Sequence, residues 1–211
     1  MMRQITLYGY ELDENSYRAR LLLSMLGLEW QTIAIDMFPG QEHRKPAMLA
    51  LSPLGAMPVL KDGELVVHGA SAILLYVAKA YDPARHWLPD EPQAFGNVVK
   101  WLGFFDKGLD CAIEARLQAL FDIPGDEATL CADARRAFRI MDDHMTARHF
   151  DGHEWFCGDG PTLADVTLFP SFALSRDFGI DHGEYPALRR WIRHFRSLKG
   201  FHTMPGIPDY H

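Results

Sequence analysis

Apolar and polar positions alternate early in the chain. Ile5 and Leu7 stand between polar neighbours and Gly9 ends the run, which predicts a short strand. Residues 16–27 change to helical spacing, with Ala19, Leu22, Leu23 and Leu26 on one face and Gly27 in the place of a C′ glycine. Trp30 to Ile35 reads as a second strand. Met57 to Lys61 and Leu65 to Val67 read as two more, joined by a hairpin turn at Asp62-Gly63. Residues 70–81 return to the helical period. Strand, helix, strand, an ill-defined helical segment, strand, strand, helix predicts a small mixed sheet with helices packed on it.

The pattern changes near residue 82. Asp82-Pro83 and Pro89-Asp90-Glu91-Pro92 bracket a stretch rich in helix breakers, read as an interdomain linker over 83–92. Beyond it the spacing is helical. Phe95, Val98, Val99, Leu102, Phe105, Leu109, Ala112 and Ile113 form one apolar stripe. Leu130, Ala134, Phe138, Met141 and Met145 form the next. Leu188, Trp191, Ile192 and Phe195 form a third, opened by Pro186. The expected division is an α/β domain over 1–82 and an all-helical domain over 93–211. No internal repeat or low-complexity tract interrupts it.

Composition narrows the field. In 211 residues, 48% are apolar and 23% charged, so the chain has enough apolar material for cores that need no disulfide or metal. The net charge of -7 is shared by both halves without a basic tract, which argues against nucleic acid as a partner. No apolar run approaches the ~18 residues of a membrane span. Arg3 is followed by too short an apolar stretch for a signal peptide. Cys111, Cys131 and Cys157 are odd in number and widely spaced, as expected of buried thiols in a reduced, cytoplasmic protein.

Several short motifs carry a chemical reading beside a structural one. Thr162-x-x-Asp165 before an apolar run is a capping box, and Pro170 should kink the helix it opens. Asp13-Glu14-Asn15-Ser16 reads as an N-cap cluster. Its alternative, a thiolate or anion site at a helix N-terminus, is opposed by its two carboxylates. His43-Arg44-Lys45 is either a solvated turn or a carboxylate holder. His149 and His153, separated by Gly152, suit helix C-terminal capping better than a metal pair, and no metal is expected. Gly69-Ala70-Ser71-Ala72-Ile73 begins like a nucleophile elbow but lacks its final glycine, so a serine hydrolase is poorly supported.

Four segments, in order, resemble the cytosolic glutathione transferases, in particular bacterial members of theta and zeta type. Leu7-Tyr8-Gly9 through Asn15-Ser16-Tyr17-Arg18-Ala19-Arg20-Leu21 resembles their opening strand and helix. Ser52-Pro53-Leu54-Gly55-Ala56-Met57-Pro58-Val59-Leu60 resembles their loop with a cis proline. Pro161-Thr162-Leu163-Ala164-Asp165-Val166 resembles the capping box of their sixth helix, and Tyr185-Pro186 with Trp191 their closing helix. The resemblance implies a thioredoxin-like N-terminal domain followed by an all-α domain, glutathione as co-substrate along a cis Met57-Pro58 edge, a small-molecule electrophile, and a homodimer with contributions from Tyr76 and residues 95–110. It implies catalytic roles among Asp13, Asn15 and Ser16, and glutathione contacts at Met57, Pro58, His43, Arg44, Lys45, Ala70 and Ser71. Tyr10, Leu12, Trp101, Phe104 and Phe105 are acceptor-pocket candidates.

Two positions depart from the pattern. The catalytic serine of the relatives maps onto Asp13, and an ionised carboxylate cannot donate to a thiolate. Gly69-Ala70 stands where an acid-serine pair usually holds the γ-glutamyl carboxylate. The alternative is therefore a binding or interaction protein on the same fold with a degenerate site. A glutathione-dependent disulfide reductase is disfavoured, because no cysteine lies near the first helix.

Overall fold

The structure is a computed structural model that describes residues 4–207. The Arg3 reading and the outermost ends of the two expected domains, residues 1–3 and 208–211, lie outside that range. The N-terminal sheet has the order β2-β1-β3-β4, from β1 (Ile5–Gly9), β2 (Trp30–Ala34), β3 (Val59–Asp62) and β4 (Leu65–His68). β1 pairs with β2 in parallel and with β3 antiparallel, and β3 with β4 antiparallel. α1 (Glu14–Met25) and α3 (Ala70–Tyr81) pack together, and the short α2 (Pro46–Leu49) follows a 3-10 turn at Glu42–Arg44. In β1 the buried positions are Ile5, Leu7 and Gly9, as the alternation predicts.

The helical domain comprises α4 (Pro92–Gly108), α5 (Asp110–Phe121), α6 (Glu127–Phe150), α7 (Leu163–Ala173) and α8 (Pro186–Arg196). The stripe expected as one helix over 95–113 is divided at Leu109, whose backbone leaves helical geometry (φ -114°, ψ 2°) just after Gly108. Its side chain stays fully buried, so the apolar period continues across the break. α7 is buried at every residue and packs on α1, α4 and α8, which makes it the axis joining the two domains. Pro170 lies inside it, and the chain passes into a 3-10 turn at Ser175–Phe178 soon afterwards.

The capping box holds α7 in place. Asp165 is fully buried and accepts from the Thr162 amide at 2.9 Å and the Thr162 hydroxyl at 3.2 Å. Its other oxygen accepts from the Phe156 amide at 3.1 Å and the Trp191 indole at 2.9 Å. One carboxylate thus ties a loop, α7 and α8 together. His149 and His153 face different acids, Glu154 and Asp159, at 3.7 Å and 3.0 Å. Among the described residues no helix is long and apolar enough to cross a membrane.

Candidate functional site

The β1–α1 loop is built around its own hydrogen bonds. Asp13 is the N-cap of α1, and one carboxylate oxygen accepts from the Ser16 amide and the Ser16 hydroxyl, both at 2.6 Å. The fully buried Ser16 hydroxyl also accepts from the Tyr10 amide at 3.3 Å. Gly9 permits this packing, since a Cβ there would lie 2.7 Å from Ser16 Oγ. Burial raises the Asp13 carboxyl pKa, while the bonds from Ser16 and the charge of Arg18 oppose the rise. Glu14 is equally buried. Its carboxylate meets Arg18 at 3.2 Å and accepts from the Ser171 hydroxyl at 3.0 Å. Both acids of the cluster are compensated inside the protein, so neither enters the groove as a bare charge.

The remaining polar groups of the loop divide by sign. The Tyr10 carbonyl accepts from the Asp13 amide and from Arg20, the Glu11 carbonyl from Arg20, and the Leu12 carbonyl from Arg116. The amides of Glu11, Leu12, Glu14 and Asn15 have no acceptor among the described residues. Acceptors are occupied and donors are open, at a helix N-terminus whose dipole adds the same sign. Asn15 follows this division, because its Oδ1 accepts from Arg18 at 3.0 Å while its Nδ2 has no partner among the described residues.

Two further segments reach this end of the sheet. Tyr8 is paired with Val59, so the chain beyond Gly9 and the chain before Val59 emerge side by side. There Met57-Pro58 is cis, as expected, and the Met57 N–H and C=O make no hydrogen bond among the described residues. The Gly69 amide donates to the Pro58 carbonyl at 3.2 Å, which seats the start of α3 beside them. Gly69 has φ +87°, a backbone region open to glycine and strained for other residues. α3 has no side-chain cap, and the Ala70 and Ser71 amides have no acceptor among the described residues. The Ser71 side chain turns to α4, donating to Asp106 at 2.8 Å.

The loop after β2 closes the remaining side. Phe38, before a second cis proline, stacks on Phe121 from the end of α5 with centroids 4.5 Å apart, and Tyr10 lies within 6.4 Å of both rings. Burial, then Asp36 and Glu11, push the Tyr10 phenol pKa up, so it stays a neutral donor. His43 is buried, its Nδ1 has no partner among the described residues, and burial with the neighbouring Arg44 lowers its pKa. Lys45 is paired with Glu42 at 3.0 Å, whereas Arg44 is exposed and has no ion pair among the described residues. Of the expected pocket residues, Trp101 and Phe105 are buried in the core of the helical domain, and Arg18 lies 4.3 Å over the Phe105 ring.

Residues 7–85 match the family described as the glutathione S-transferase N-terminal domain, and residues 105–194 the glutathione S-transferase C-terminal domain. The chain belongs to the glutathione S-transferase family. It is 32% identical over 215 residues to a zeta-class glutathione S-transferase of Euphorbia esula, covering 98% of this chain and 91% of that protein. A glutathione S-transferase structure from Xanthobacter autotrophicus Py2 superposes with a TM-score of 0.85 at 24% identity, covering 96% of this chain and 98% of that one. Ure2p in complex with glutathione gives 0.83 at 22%, covering 98% and 97%.

Two of the four resembling segments, 7–21 and 52–60, meet at this end of the sheet, whereas the capping box and the closing helix meet each other through Asp165 and Trp191. What sequence reasoning missed are the long-range partners. Arg116 reaches Leu12 from 104 residues away, and Phe38 meets Phe121 across the domain boundary. Neither carries a local motif that would mark it.

Proposed function

We propose that the protein is a glutathione-dependent transferase that delivers the glutathione thiolate to a small, apolar electrophile. The observation carrying this reading is the unpartnered Met57 backbone beside two open helix N-termini. An extended peptide needs a donor and an acceptor along its length, and its anionic groups need donors at its ends. In this reading the Met57 N–H and C=O pair with the cysteinyl unit of glutathione. The Ala70 and Ser71 amides, with Pro58 holding the turn, receive the γ-glutamyl carboxylate. Arg44, flanked by His43 and Lys45, receives the glycyl carboxylate.

Asn15 Nδ2 and the open amides at the start of α1 stabilise the thiolate, while Asp13 and Ser16 hold that helix start in shape. The thiolate forms a bond to an electrophilic carbon, and the displaced electron pair leaves with a departing group or is protonated on the neighbouring carbon. Donors placed where the negative charge sits lower the thiol pKa and keep the nucleophile available. Tyr10, Phe38 and Phe121 supply an apolar wall for the acceptor. The three free cysteines suit a reducing, cytoplasmic setting.

A homodimer is part of the proposal. Leu54, in the loop before Met57, is 87% exposed, and burying it against a second copy would remove a large apolar side chain from water. Light scattering should give twice the chain mass, and a monomer mass across a wide concentration range refutes this part. The functional reading is tested by calorimetric titration with glutathione and by turnover of a chloronitrobenzene electrophile. Binding with turnover is expected. Binding without turnover leaves only a binding protein, and no heat with no thermal shift at millimolar glutathione overturns the reading.

A further inference from the structure

We infer that Arg116 is a positioning residue that sets the orientation of the reactive loop from the other domain; this rests on the transferase reading above. Arg116 lies on α5 with a side chain only 3% exposed. Its Nε donates to Asp177 at 2.8 Å, in the 3-10 turn after α7, and its Nη1 donates to the Leu12 carbonyl at 2.6 Å. The guanidinium is planar, so the two bonds share one rigid fork, and Asp177 fixes its direction. The Leu12 carbonyl belongs to the same planar peptide unit as the Asp13 amide, and that amide donates to the Tyr10 carbonyl at 3.2 Å. The unit is therefore held at both ends.

Loss of that anchor frees the peptide to rotate and tilts the Asp13 cap, with the open Glu14 and Asn15 amides behind it. Tilting the cap turns those donors away from the thiolate, which loses their stabilisation. Arg116 has this effect without being one of the proposed glutathione contacts. Its removal should spare binding of the peptide portion, which rests on Met57, Ala70 and Arg44, and should impair thiol ionisation.

The test compares wild type with Arg116→Met, Arg116→Lys and Asp177→Asn. In ligand-free protein, amide hydrogen exchange at Tyr10, Asp13 and Ser16 should accelerate about tenfold or more in Arg116→Met while α3 amides keep the wild-type rate. With glutathione, KM should change less than about threefold, kcat should fall about tenfold, and the pKa of the bound thiol should rise by about one unit. Arg116→Lys should recover part of kcat, because it keeps a charged donor without the fork. Asp177→Asn, which leaves the guanidinium in place, should shift exchange and thiol pKa in the same direction by less, and serves if Arg116→Met does not fold. Unchanged exchange at the loop, or equal acceleration across every element, overturns the inference. So does a fall in kcat with the thiol pKa unmoved. If wild type binds no glutathione, the transferase reading fails on its own, and the exchange arm still decides whether Arg116 holds the loop.

Discussion

Asn15 has one half of its side chain engaged by Arg18 and the other half open, which separates it from Asp13 and Ser16, both spent on the cap. Replacing Asn15 by Ala should lower kcat/KM with glutathione by about tenfold or more and raise the bound-thiol pKa, with a lower melting temperature because Arg18 loses one acceptor. An unchanged thiol pKa would transfer the role to the backbone amides. Ala70→Ser adds a hydroxyl at an uncapped helix start and should tighten glutathione binding about three- to tenfold, read by calorimetry. A residue far from the groove gives a pH test. His182 is buried, stacked on Phe172 at 4.3 Å and 3.0 Å from the Ser175 hydroxyl, and burial brings its pKa down to about 4. Its unfolded pKa is about 6.5, so the unfolded chain binds the extra proton. The contribution of His182 is therefore present above pH ~6.5 and lost as pH falls toward 4, on the order of 2 kcal/mol after solvent screening. Asp165, raised to about 6 by burial, acts in the opposite sense, adding stability as pH falls from 6 toward 4. The wild-type curve holds both contributions. The difference between wild type and His182→Asn, from urea unfolding at each pH, should isolate the histidine, and a flat difference would refute its burial as a neutral ring.

At the scale of elements, α7 depends on Asp165 more than a surface capping box would. Its four donors come from the helix start, a preceding loop and α8. Asp165→Ala strands buried donors on all three and should cost about 3 kcal/mol or more, whereas Asp165→Asn keeps an acceptor and should cost less. A variant that melts with the wild type would show the box to be dispensable. The box itself was legible in sequence because Thr162 and Asp165 are three residues apart, but Trp191 and Phe156 as partners were not. The same limit applies to α4 and α5. Periodicity reports which side of a helix is buried, and Leu109 stays on that side although its backbone breaks the helix. α1 starts at Glu14 rather than at residue 16 because Asp13 supplies the cap, a local effect that apolar spacing does not register.

In the whole molecule, contacts between the domains complete the groove that the N-terminal domain begins. The acids at 13 and 14 read as obstacles to a thiolate from their charge alone. Glu14 is instead neutralised by Arg18, which also donates to the Thr167 carbonyl at 2.6 Å and the Ser171 hydroxyl at 2.5 Å on α7. Arg18 is fully buried and Glu14 is 2% exposed, so the pair has little water to fall back on. Removing one partner of such a pair leaves a buried charge uncompensated. Arg18→Met should therefore destabilise the protein by about 3–5 kcal/mol, and adding Glu14→Gln should recover part of that loss by removing the stranded charge. Glu14→Gln alone should cost less than Arg18→Met, since the guanidinium keeps Thr167, Ser171 and Asn15 as acceptors. Urea unfolding of the four proteins gives the coupling energy of the cycle. Additive effects would mean that the two side chains are neighbours without dependence, and that the charge of Glu14 is balanced elsewhere. A coupling of more than about 1 kcal/mol would show that Arg18 keeps the carboxylate beside the proposed thiolate site electrically quiet.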